Sequence, residues 1–120
     1  MKNILVLVFV FLAPSIAVEQ STENIKDGNH LLRRCKEAAV AVERASWKDS
    51  HEAFDAGFCH GIIEGVVYTS NASCVPDDGT ADQMARVVIK FLQDNPEKLN
   101  LNDAVLVELA LSKAFPCQHK

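Results

Sequence analysis

The side chains with the most chemistry to offer are four cysteines, Cys35, Cys59, Cys74 and Cys117, and four histidines, His30, His51, His60 and His119. Thiolates and imidazoles at short spacing would build a metal site. Neither a paired C-x-x-C nor an H-x-x-x-H occurs, so the spacing predicts no metal ligands. An even cysteine count in an oxidising compartment predicts two disulfides instead. Four cysteines admit three pairings. The favoured one joins Cys35 to Cys59, linking the first two helices, and Cys74 to Cys117, tying the loop after the second helix to the C-terminus. Pairing Cys59 with Cys74 would force the chain to fold back tightly along its own helix end. Each favoured bond closes a loop of some tens of residues and contributes roughly 3–4 kcal/mol on the loop-entropy model.

The remaining chemistry is sparse. Serines are few, none lies in a G-x-S-x-G elbow, and there is no phosphate-binding glycine loop. Asp55 falls within an apolar helical stripe, near a helix start where the macrodipole favours a carboxylate. No second carboxylate stands at a spacing suited to acid/base work, so Asp55 reads as a structural ion pair or an edge position. The expectation is a protein without catalytic residues, cofactor or metal: not an enzyme.

The oxidising compartment is inferred from the start of the chain. Lys2, the ten-residue apolar run Ile4–Ala13 and the small residues Pro14, Ser15 and Ala17 have the layout of a secretory leader, residues 1–17, cleaved after Ala17. The run is too short to span a bilayer, which takes about 20 residues. The exported chain of 103 residues makes one modest domain that two disulfides would help to hold. Without Lys2 it carries 11 basic against 16 acidic residues, a formal charge of −5. That balance argues against nucleic acid or an anionic membrane as partner and suits a basic protein.

The chemistry-bearing residues must be positioned by helices, because no segment alternates with the period of a strand. Residues 18–28 read as a loose polar arm. A first helix is expected from about Asn29 to Ser46, burying Leu31, Leu32, Cys35, Ala38, Ala39 and Val42. Ser50–Thr69 reads as the central helix, with Phe54, Phe58, Ile62 and Val66 recurring every four residues. Gly57, Gly61 and Gly65 repeat beside them, and each glycine costs about 1 kcal/mol of helix stability relative to alanine. The stripe therefore predicts close packing of another helix, with the alanines of the first helix as its partner surface. Trp47, in the short connection, is expected to roof the core, and Asp49 with Glu52 has capping-box spacing.

Beyond Thr69 comes a turn-rich stretch, in which the acceptor-like spelling Asn71-Ala72-Ser73 is taken as chance. Thr80 and Gln83 form a capping box before a helix with Met84, Val87, Val88, Phe91 and Leu92 on one face. Asn95-Pro96 stops it. Asn102 or Asp103 opens a last helix burying Val105, Leu106, Leu109 and Ala110 and ending at Phe115-Pro116-Cys117. The fold class is all-α: a small disulfide-stapled bundle of four main helices, residues 29–120 forming the domain.

Several of these features together carry a resemblance. They are Phe58-Cys59 with Gly61 and Gly65, the turn Cys74-Val75-Pro76, the capped Thr80–Leu92 helix, Asn95-Pro96-Glu97 and the closing Ala114-Phe115-Pro116-Cys117. In order and spacing, from about Leu31 to Cys117, the chain resembles the Rap/Tai family of immunity proteins, which protect bacteria from peptidoglycan amidases delivered by type VI secretion. The resemblance implies a periplasmic inhibitor that occludes the cleft of a secreted cell-wall amidase, and a homodimer in several relatives. The acidic, turn-rich segment Val75–Gly79, pinned at Cys74, is the expected partner surface, with Asp77 and Asp78 as contact residues. Two alternatives come from other classes. A periplasmic chaperone or stress-response binding protein would expose apolar surface in acid and take many clients. A small-ligand carrier would need internal space that the glycine–alanine packing leaves little room for.

Overall fold

The computed structural model describes residues 26–118. The leader, most of the expected arm and His119 lie outside the described residues. The elements are α1 (Gly28–Arg44), α2 (Ser50–Thr69), α3 (Ala81–Asp94), a short 3-10 turn (Pro96–Lys98) and α4 (Asp103–Ala114). The protein is an all-α bundle stapled by two disulfides, Cys35–Cys59 and Cys74–Cys117. No described helix is long and apolar enough to cross a membrane.

Each helix starts where a short polar side chain can accept an otherwise unpaired backbone N–H. Asp27 accepts from the His30 amide, Asp49 from Glu52, Thr80 from Gln83 and Asn102 from Ala104. Only Thr80 and Gln83 complete the reciprocal box. Glu52 reaches back one residue further, to the Lys48 amide. α1 ends at Arg44, two residues before the expected terminus at Ser46, and is capped by Ala45, whose φ of 56° is left-handed.

The expected arm stops short of its last residues. Lys26 O accepts the Asp103 amide at 2.9 Å, and the Gly28 amide donates to Leu99 O at 2.8 Å. A Cβ on Gly28 would lie 2.5 Å from Leu106 Cδ1 and 2.9 Å from Leu99 Cα, so only glycine fits where α1 meets the start of α4.

The core is drawn from all four helices: Leu31, Cys35 and Ala38; Ala56, Cys59 and Ile63; Met84, Ala85, Val88 and Leu92; Leu106, Val107, Ala110 and Leu111. This differs from the sequence expectation in which face each helix buries. In α2 the buried residues are Glu52, Asp55, Ala56, Cys59 and Ile63, whereas Phe54 is 62% exposed and Phe58, Ile62 and Val66 are half-buried. A strict spacing of four overruns the 3.6-residue turn and winds round the helix, while alternating steps of three and four stay on one face. In α1 Ala41 is buried and Val42 exposed; in α4 Val107 and Leu111 are buried while Val105 and Leu109 are exposed.

Two further expectations are corrected. Gly57, Gly61 and Gly65 are exposed, and a Cβ on any of them would meet nothing within 4 Å. Among the described residues no helix packs on that stripe; α1 is joined to α2 on its Cys59 side, through the bond to Cys35. Trp47 does not roof the core, being 55% exposed on the turn between α1 and α2. That turn is closed by polar bonds instead, with Arg44 donating to Ser46 O, Ser46 Oγ and the Glu52 carboxylate.

Candidate functional site

The segment between α2 and α3 is built from the backbone outward. Ser70 caps the C-terminus of α2 by donating its amide to Val66 O, and its hydroxyl donates to the Glu108 carboxylate of α4 while accepting the Ala72 amide. Cys74 donates its amide to Phe115 O at 2.9 Å, and its sulfur is bonded to Cys117. Pro76 O then accepts the Gly79 amide at 2.9 Å, closing a four-residue turn with Asp77 and Asp78 at its corners. A Cβ on Gly79 would stand 3.0 Å from both Pro76 O and Met84 Cε, so a side chain there would press on the turn and on the flexible end of Met84. The capping box of Thr80 and Gln83 follows at once.

The two aspartates are therefore exposed side chains on a turn fixed at both ends. Being neighbours on the turn does not bring them to one place. Asp77 lines a depression of about 260 Å³ with Glu64 and Tyr68 of α2, floored by Ile63, Val67, Val75 and Met84. Asp78 lines another, of about 420 Å³, on the far side of Pro76 and Gly79, with Arg86, Val87 and Phe115. Tyr68 is 85% exposed, the largest uncovered side chain beside the turn, and the sequence reading passed over it. Its signal was available: it lies outside the buried period of α2, and tyrosine is a frequent anchor at protein interfaces.

Several other charged groups are committed to structure. Asp55 is buried, 3.1 Å from Arg33 and 3.4 Å from Arg34, and Arg34 lies over the rings of Phe58 and Phe54 at 4.3 and 5.1 Å. Of the two structural roles expected for it, ion pair or edge position, the structure shows the first, extended by a cation–π stack. The Glu37 carboxyl is held above its ordinary range, chiefly by its hydrogen bond to Asp55 and then by burial. Glu52 is held below its ordinary range by the Arg44 guanidinium and the Lys48 amide. His30 is buried at the start of α1, and His51 and His60 stand apart on α2. Among the described residues no group of three or more His, Cys, Asp or Glu is placed to hold a metal ion.

The site can thus present charge, one aromatic ring and a rigid turn to another surface. No curated protein and no solved structure matches the chain. A family model described as Rap1a immunity proteins matches residues 27–117, which takes in both disulfides, all four helices and the Asp77–Asp78 turn, and the chain belongs to that family.

Proposed function

We propose that this protein is exported, released from its leader after Ala17, and binds a peptidoglycan amidase effector of type VI secretion in the periplasm, blocking its cleft. The observation that carries the reading is the family match over nearly the whole exported chain. Immunity proteins act by binding a protein effector, and the family is typically exported and generally without catalysis of its own. Pairing of two copies belongs to the same reading.

The turn at Asp77 and Asp78 is the contact assigned to the effector. Its rigidity favours that role, because a turn held by Cys74, the Gly79 amide and the α3 cap has little entropy left to lose on docking. The acidic corners favour a basic rim on the partner and fast, salt-sensitive association.

The test is inhibition of peptidoglycan hydrolysis by candidate type VI amidases, measured with the oxidised protein at neutral pH. A one-to-one complex that silences the enzyme is expected. Changing Asp77 and Asp78 together to alanine should weaken binding by about 10-fold or more, and to a greater extent at low salt. Full inhibition by that variant would remove the turn from the interface. Absence of binding to every amidase would sink the effector assignment itself.

A further inference from the structure

The depression holding Asp77 and the one holding Asp78 differ in charge. Asp78 shares its lining with Arg86, a cation already paired with Asp82 and Glu43. The Asp77 depression is lined by two carboxylates, Asp77 on the turn and Glu64 on α2, and by no lysine, arginine or histidine. Both carboxylates are exposed, and among the described residues neither takes part in a hydrogen bond or an ion pair. The helix end beside them adds to the imbalance. α2 has no basic residue in its last turn, so the negative end of its dipole is left without a cation. The opposing positive end of α3 is offset by its capping box and by Asp82 in its first turn.

The rest of the lining supplies what a long cationic side chain needs besides charge. Tyr68, four residues beyond Glu64 and so on the same face of α2, offers a ring that is 85% exposed. Ile63, Val67 and Met84 form an apolar floor for methylene groups. The volume, about 260 Å³, falls below the ~300–1,000 Å³ of pockets that enclose small-molecule ligands, and suits one side chain reaching in from outside.

We propose that this depression seats a single arginine side chain of a basic protein partner, its guanidinium between Glu64 and Asp77 and against the Tyr68 ring, its methylenes on the floor. The proposal rests on the reading that the turn faces the effector, and deepens it by naming the chemistry recognised there. Arginine fits better than lysine, because a planar fork can serve two carboxylates and stack on an aromatic face at once. The two aspartates then have separate duties. Asp77 holds the seated cation, while Asp78, on the far side of Pro76 and Gly79, adds only to attraction at a distance.

The test begins without an effector. The isotope-labelled, oxidised protein is titrated with the capped tripeptide Gly-Arg-Gly and followed by amide and tyrosine-ring NMR. The same tripeptide with citrulline, which has nearly the same shape and no charge, serves as control. Saturable shifts centred on Tyr68, Asp77 and Gly79 are expected, with a Kd of about 10 mM or tighter for the arginine peptide and at least about 10-fold weaker binding of the citrulline one. Glu64→Gln, Asp77→Asn and Tyr68→Leu should each weaken it by about 5-fold or more, and Asp78→Asn by less than about 2-fold. The substituted side chains are exposed, so the urea midpoint should stay in place and loss of binding will not reflect loss of folding. Equal binding of the two peptides, no saturable shift, or an Asp78→Asn effect as large as that of Glu64→Gln overturns the proposal. The second arm repeats the four variants against any amidase the protein inhibits, where the same order of effects is expected and the reverse order overturns it. Arginine binding with this order of effects, in a protein that inhibits no amidase, would uphold the pocket and sink the effector reading alone.

Discussion

The N-terminal end of α2 is tied down by charge and the chain leaving its C-terminal end by a covalent bond. At the first, Glu52 accepts from Arg44 and from the Lys48 amide, Asp49 accepts from the Glu52 amide, and Asp55 lies between Arg33 and Arg34. At the second, Cys74–Cys117 straps the turn-bearing loop to the segment after α4. Midway, Cys35–Cys59 is fully buried and behaves as a core residue pair, whereas Cys74 is exposed. The difference teaches that each end opens to a different agent. Acid addresses the first and a reductant the second.

The largest effect is expected at the covalent end. Replacing Cys74 and Cys117 together by alanine releases a loop spanning a sequence separation of 43 residues and should cost about 4 kcal/mol on the loop-entropy model, read as a lower urea midpoint. Amide exchange should quicken in residues 70–80 while residues 44–52 keep their protection. The intact protein offers the complementary test: a mild dithiol followed by alkylation and mass spectrometry should label Cys74 and Cys117 before Cys35 and Cys59. Simultaneous labelling of all four would break the distinction between strap and core.

At the charged end, Asp55→Ala should cost about 2 kcal/mol. Removing one partner of a buried pair is expensive, but Arg33 is half-exposed and water recovers part of the loss. The accompanying change should be confined to α1 and the first half of α2, with the Cys74 loop unaltered.

The smallest effect, and the one that sharpens the comparison most, is with pH. The Glu52 carboxyl sits below its ordinary value of 4.5, so the stability it contributes is present above that pH and fades as pH falls through its lowered value. Asp49 behaves in the same way, its carboxylate accepting the Glu52 amide. Glu37 has the opposite sign. Its proton, shared toward Asp55, is retained in the folded protein, so its contribution is present below 4.5 and is lost as pH rises through its raised value. Glu37→Gln should therefore flatten the upper side of the stability–pH curve and leave the acid limb in place. An unchanged curve in that variant would remove Glu37 from the network.

How much of this was legible in the residues depends on the range of the interaction that decides it. Helix starts were legible because a cap joins residues two or three positions apart: Asp49 with Glu52, Thr80 with Gln83 and Asn102 with Ala104 are local bonds. Chain order and helix stiffness favoured the disulfide pairing without excluding Cys35–Cys74 with Cys59–Cys117, and the place of Asp55 near a helix start left an ion pair or an edge position open. Which face of a helix is buried is settled elsewhere in the chain. α2 is apolar on more than one side, so its period alone suited Phe54 and Phe58 as well as Cys59 and Ile63; only the position of α1, held by Cys35, decides between them. The same non-local choice turned Gly57, Gly61 and Gly65 outward, left Trp47 and Tyr68 uncovered and placed Asp77 and Asp78 in separate depressions. The sequence by itself determined the helices, most of their caps and the family, and favoured the crosslinks that the tertiary structure makes. The surface offered to a partner was decided by the tertiary structure, because burial is a relation between residues far apart in the chain.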